Sequence, residues 1–126
     1  MASEINKTRS LLVTGSRSIR DAAFVRAKLD TLPRPGLLIH GGAIGVDTLA
    51  GQWAKDHAIP VKVYRPDFKT WPVAAYRWKA FLVRDMAMVD VADDVVAIWD
   101  GTSSGTKKTM DYAVSKDKFL GLFMYE

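Results

Sequence analysis

Apolar residues in this chain fall into short continuous runs and longer helical stripes, and the two patterns alternate from end to end. The runs are Ser10–Thr14, Leu37–His40, Pro60–Tyr64, Val95–Trp99 and Phe119–Met124. They are apolar on consecutive positions, as in strands buried on both faces. Between them apolar residues recur at helical spacing. The first stripe is Ala22, Val25, Leu29 and Leu32, and the second is Val46, Leu49, Ala50, Trp53 and Ala54. The third is Ala75, Trp78, Phe81, Leu82, Met86 and Val89; the fourth, from Thr106 to Ser115, carries Met110, Ala113 and Val114. Leu32-Pro33-Arg34-Pro35-Gly36 reads as a turn ending the first helix. The polar residues Met1–Arg9 read as a flexible N-terminus, and with no linker in sight residues 1–126 read as one domain. Strand and helix alternating four times before a closing strand predict parallel pairing, right-handed crossovers and helices on both faces. The expected class is α/β, a Rossmann-like doubly wound three-layer domain with a five-stranded parallel sheet. Class statistics favour the order 3-2-1-4-5.

A parallel sheet brings all strand C-termini to one edge, so loops distant in sequence meet there. Three strands run into glycine loops. One holds Gly15, Ser16 and Arg17; the next holds Gly41, Gly42, Ala43, Gly45 and Asp47; the third holds Asp100, Gly101, Thr102, Ser103, Ser104, Gly105 and Thr106. Each precedes a helix, so free backbone N–H groups and the positive end of a helix dipole face a common crevice. Glycine admits a bulky anion to the backbone, the hydroxyls donate, and Arg17 offers a fork suited to phosphate oxygens. These residues are the expected ligand-binding set, for a phosphate-bearing nucleotide-type ligand. Neither GxGxxG nor GxxxxGK[ST] is present, which argues against ordinary dinucleotide dehydrogenases and P-loop kinases.

Composition narrows this further. No cysteine is present, which excludes disulfides, thiolate metal sites and thiol catalysis, and fits a cytoplasmic protein. No apolar stretch is long enough to span a bilayer, and no membrane partner is expected. The net charge of +4 is mild and scattered, so nucleic acid is a secondary expectation. His40 and His57 have no companion at ligand spacing, so neither a protein-bound metal nor a cofactor is expected.

Individual residues carry two readings each. Asp47, in the first turn of the second helix, either complements the dipole or accepts from a ribose hydroxyl. Arg84 lies off its apolar stripe; it joins the expected ligand-binding set as a phosphate or ribose contact, with a solvated arginine as the other reading. Asp85 lies on that stripe, so it must be paired or reach the crevice: it either makes a structural hydrogen bond to a nearby loop, the favoured reading, or has its pKa raised by burial and does acid/base work. Asp100 caps its loop or meets the ligand. Asp47, Asp85 and Asp100 are the candidate catalytic carboxylates. Trp53 and Trp78 have core spacing; Trp71, between Pro66 and Pro72, is the candidate base platform or subunit contact.

Taken in order, Gly15-Ser16-Arg17, the run from Gly41 to Ala50, Trp53-Ala54, Pro66-Asp67, the run from Arg84 to Met88 and the run from Trp99 to Thr106 resemble the YspA-like branch of the SLOG superfamily. The resemblance covers nearly the whole chain. It implies a Rossmann-like domain for nucleotides or their derivatives, such as ADP-ribose or a nucleoside monophosphate. Superfamily branches include the LOG phosphoribohydrolases, which split a base from a nucleoside monophosphate, sensor domains, and the DNA-processing protein A family. It also implies a homodimer or higher homo-oligomer. Two departures stand out. LOG enzymes carry PGGxGTxxE with a catalytic glutamate, where this chain has Thr109; YspA-like proteins commonly have Arg-Asn where this chain has Arg84-Asp85. A sensor or binding domain is therefore the leading expectation. A nucleotide N-glycosidase using one of the three aspartates, and a nucleic-acid-binding module, are the alternatives.

Overall fold

In the computed structural model, which describes residues 5–126, the apolar runs become five parallel strands. They are β1 (Ile5–Gly15), β2 (Arg34–His40), β3 (Val61–Val63), β4 (Asp94–Trp99) and β5 (Phe119–Met124), and the stripes become α1 (Ala22–Leu29), α2 (Val46–Asp56), α3 (Arg77–Val91) and α4 (Ser104–Ser115). The sheet order is β3-β2-β1-β4-β5, every pair parallel. The expected Rossmann-like α/β fold and its 3-2-1-4-5 order are therefore what the chain adopts. Among the described residues no helix is long and apolar enough to cross a membrane.

Successive residues of the central strands point to opposite faces, and this splits the core in two. Leu11, Val13, Leu38, Val96 and Ile98 pack with Val25 and Leu29 of α1 and with Ala50 and Trp53 of α2. Leu12, Ile39 and Val95 pack on the other face with Met88 and Val89 of α3 and Ala113 of α4. Trp53 is almost fully buried, and its Nε1 donates to Asp30 Oδ1 at 2.8 Å, so the indole leaves no unpaired donor in the core. Asp21 caps α1 by accepting from Phe24 N–H at 3.0 Å.

The structure corrects four expectations. Residues 5–9 belong to β1, where Ile5 and Asn6 pair with Arg34 and Pro35 across a register shift before Ser10; Met1–Glu4 lie outside the described residues. Arg34–Gly36, read as a turn, opens β2. Proline is tolerated there because β3 joins β2 only from Leu38, which leaves that end of the strand with one neighbour. Burial on both faces holds for β4 but not for the outer strands: β3 is exposed throughout, and β5 alternates, with Leu120, Leu122 and Met124 exposed. Finally, the buried face of α3 is Ala80, Met88 and Val89, while Trp78 is 55% exposed.

Candidate functional site

The three glycine loops meet at the C-terminal edge of the sheet. Gly45 adopts φ 84°, and a Cβ on it would lie 2.6 Å from the carbonyl oxygens of Ser16 and Arg17, so only glycine lets the β2–α2 loop close on the β1–α1 loop. Val46 N–H donates to Ser16 O at 3.3 Å. On the other side, Asp100 N–H donates to Ser16 Oγ at 2.9 Å and Ser18 Oγ donates to Asp100 Oδ2 at 2.6 Å. The buried Ser16 is thus the pin between loops, not an exposed donor.

Most of the loop amides are occupied within the protein. Gly41 and Ala43 N–H donate to Asp47 Oδ2 at 3.0 and 3.2 Å, and Gly42 N–H donates to His40 Nδ1 at 2.9 Å. Thr102 and Ser103 N–H both donate to Asp100 Oδ1 at 2.9 Å. Asp100 therefore takes its capping role. The Ser18 hydroxyl and these two amides hold its carboxyl well below the usual carboxylate range. The start of α4 is different. Its N-cap residue Ser103 turns its hydroxyl to Asp100 and makes no side-chain cap, and the first intrahelical bond is Lys107 N–H to Ser103 O. The N–H groups of Ser104, Gly105 and Thr106 are left without an intrahelical acceptor. A Cβ on Gly105 would meet nothing within 4 Å.

This helix start opens on a cleft of about 490 Å3. Thr14, Gly15, Arg17 and Ser18 line it from β1 and its loop, Ala43 and Asp47 from the next, and Ser103, Ser104, Gly105, Thr106 and Lys108 from α4. The facing wall is α3, with Trp78, Phe81, Leu82, Arg84, Asp85 and Met88. Polar groups and helix N–H donors thus face an apolar, aromatic wall. Arg17 lies over the Phe81 ring, its guanidinium carbon 5.7 Å from the centroid.

Arg84 is a brace. Its Nε donates to Asp85 Oδ1 at 2.6 Å, and its Nη1 donates to Gly41 O at 2.5 Å and Tyr64 O at 3.1 Å. It ties α3 to the ends of β2 and β3, and Nη2 alone has no acceptor among the described residues. Two carboxyls flank it. Burial pushes Asp47 up to about 6 against the opposing pull of the Ala43 and Gly41 amides and of Arg84. Burial also raises Asp85, opposed first by Arg84, with Thr109 and Arg17 nearby. Among the described residues no group of three or more histidine or carboxylate side chains is placed to hold a metal ion.

Of the expected ligand-binding set, Gly15, Arg17, Ala43, Asp47, Arg84, Ser103, Ser104, Gly105 and Thr106 line the cleft. Ser16, Gly41, Gly42, Gly45, Asp100, Gly101 and Thr102 shape the loops behind it. Sequence reading missed Thr14, Ser18, Phe81, Leu82, Met88 and Lys108, and assigned Trp78 to the core. Trp71 does not line the cleft; with Tyr76 and Trp78 it surrounds the Lys79 ammonium, at 5.2, 5.2 and 5.6 Å from the ring centroids.

The β1 and β2 loops fall within residues 9–71, which match the model of the YspA, cpYpsA-related SLOG family. The Gene 61 protein of Mycobacterium phage D29 is 34% identical over 112 residues, spanning 81% of this chain and 86% of that protein. The chain belongs to the YspA-related SLOG family. In this SLOG domain the α3 wall and the start of α4 lie beyond the stretch that the family model matches. The fold likeness extends further. The structure of DNA processing protein A from Helicobacter pylori, described for its single-stranded DNA binding mode, matches with a TM-score of 0.64 at 16% identity. The match covers 98% of this chain and 66% of that one, and at this identity it speaks for the fold.

Proposed function

We propose that the cleft binds a phosphate-bearing nucleotide derivative of the nucleoside monophosphate or ADP-ribose type. The observation that carries this reading is the uncapped start of α4, whose N–H groups face a cleft also lined by Arg17, Lys108 and an aromatic wall. A phosphate placed at Ser104–Thr106 meets the positive helix end and two cations, neither of which is ion-paired among the described residues. The base then lies along α3 against Trp78 and Phe81, and Asp47, whose Oδ1 has no donor among the described residues, accepts from a sugar hydroxyl. A volume of about 490 Å3 suits a ligand of this size.

The test is a calorimetric screen of nucleoside monophosphates, NAD and ADP-ribose. At least one should bind, and Arg17→Ala should weaken it by about 1.5–3 kcal/mol while the melting temperature holds. Unchanged affinity in that variant would remove the anion from this end of the cleft. Asp85 supports a second reading, as a nucleotide N-glycosidase. It is a carboxyl raised by burial, inside the cleft and close to Thr109, where LOG enzymes have their glutamate. Base released by the wild type and not by Asp85→Ala would establish turnover; binding without release assigns a sensor. A third reading, as a nucleic-acid module, draws on the Helicobacter pylori neighbour and is tested by salt dependence below.

A further inference from the structure

A second cavity, of about 470 Å3, shares the β2–α2 loop with the cleft. Ala43 and Asp47 line the cleft, whereas Gly42 and Thr48 line this cavity together with His40, Gln52, Lys55 and Arg65. No carboxylate lines it. Lys55 and Arg65 are both exposed, and neither has a carboxylate partner among the described residues.

His40 gives the cavity its chemistry. The residue is 7% exposed, and its Nδ1 accepts from Gly42 N–H at 2.9 Å, which fixes the neutral tautomer with the proton on Nε2. Burial, then Arg65 and Arg84, push the imidazole pKa down and keep that tautomer at neutral pH. Nε2–H has no acceptor among the described residues. The ring reaches this place only because residue 51 is glycine: a Cβ there would sit 2.8 Å from Nε2. His40 is largely buried, but Nε2 itself is open to the cavity, and a donor that faces an arginine fork and an ammonium with no carboxylate beside them suits an anion.

We propose that this cavity is a second oxyanion site, taking a phosphoryl group between His40 Nε2–H, Arg65 and Lys55. The phosphoryl group is either free phosphate or a phosphate of a nucleotide chain, and both have the tetrahedral oxygens that these donors fit. The site stands apart from the cleft and does not depend on what the cleft binds.

Imidazole 15N NMR of the full chain at constant pH tests this, with inorganic phosphate as the first probe and chloride at equal ionic strength as the control. His40 Nε2 should shift saturably with phosphate and not with chloride, while His57 stays unchanged. The exposed double variant Lys55→Gln/Arg65→Gln should weaken the response by about tenfold or more. Arg17→Ala should leave it intact, which separates this site from the cleft. Tighter saturation by a short deoxyoligonucleotide than by phosphate assigns the site to a chain phosphate, and the reverse order assigns it to free phosphate. No saturable shift with either probe, or an equal response in the double variant, overturns the proposal.

Discussion

Asp47 is the residue on which the site's electrostatics turn. It sits in the first turn of α2, where a carboxylate is favourable, yet burial outweighs that position and its amide donors and lifts it from 3.8 to about 6. Between these values the folded chain holds more protons than the unfolded chain. Stability contributed by this group therefore falls as pH rises from about 4 to about 6 and levels off above, by roughly 3 kcal/mol at most. Asp85 is raised too and acts in the same direction. Asp47→Asn isolates the share of Asp47, since an amide oxygen still accepts from Gly41 and Ala43. Urea midpoints across this window should slope less in the variant than in the wild type, and equal slopes would refute the assignment. The sequence offered both readings of Asp47, dipole partner and ligand acceptor, and could not choose. The choice depends on burial and on Arg84 and Asp85 of α3, which lie far along the chain from it. Asp100 was ambiguous for the same reason, because the Ser18 hydroxyl that helps hold it comes from the other end of the chain.

At the scale of elements, the start of α4 joins fold and site, and Gly105 is its weak point as a helix. Glycine there lacks a helix former's preference, and a Cβ would meet open space. Gly105→Ala should stabilise the domain by about 0.5 kcal/mol. It should also weaken nucleotide binding by about 1.5 kcal/mol, the size of one charge-assisted hydrogen bond, by standing where a phosphate approaches the amides. Thermal denaturation and calorimetry on one preparation read both effects, and a rise in both stability and affinity would argue that no ligand lies against this turn. Elements were the most legible level in the sequence. The central strands are buried on both faces and announce themselves as continuous apolar runs. The outer strands do not obey that rule, because β3 has three residues and a single neighbour, and β5 is covered on one side only. The face of α3 was misread because the helix serves both the core and the cleft: Val89 turns to the sheet, Trp78 and Phe81 line the cleft, and Met88 belongs to both.

For the whole molecule, the parallel topology made the meeting of the three loops predictable, since it follows from strand direction alone. Which amides stay free does not follow from topology, because it depends on side chains such as Asp47, Asp100 and His40 folding back to occupy the others. The same limit applies to charge. A net +4 spread along the sequence conveys little, whereas the fold brings Arg17 and Lys108 to one cleft and Lys55 and Arg65 to the neighbouring cavity. That arrangement makes the nucleic-acid reading quantitative. A single strand that contacts only the cleft neutralises its phosphates with two cations, so the slope of log K against log salt should be about −1.4; a strand reaching both cavities engages four, with a slope of about −2.8. Fluorescence anisotropy with a labelled deoxyoligonucleotide at several salt concentrations distinguishes these values. Exposed Trp78 should be quenched as bases stack on the α3 wall. A slope near zero would remove nucleic acid as a partner and leave the mononucleotide reading standing, because that reading needs one phosphate at the helix end and its two cations and no strand running through the cleft.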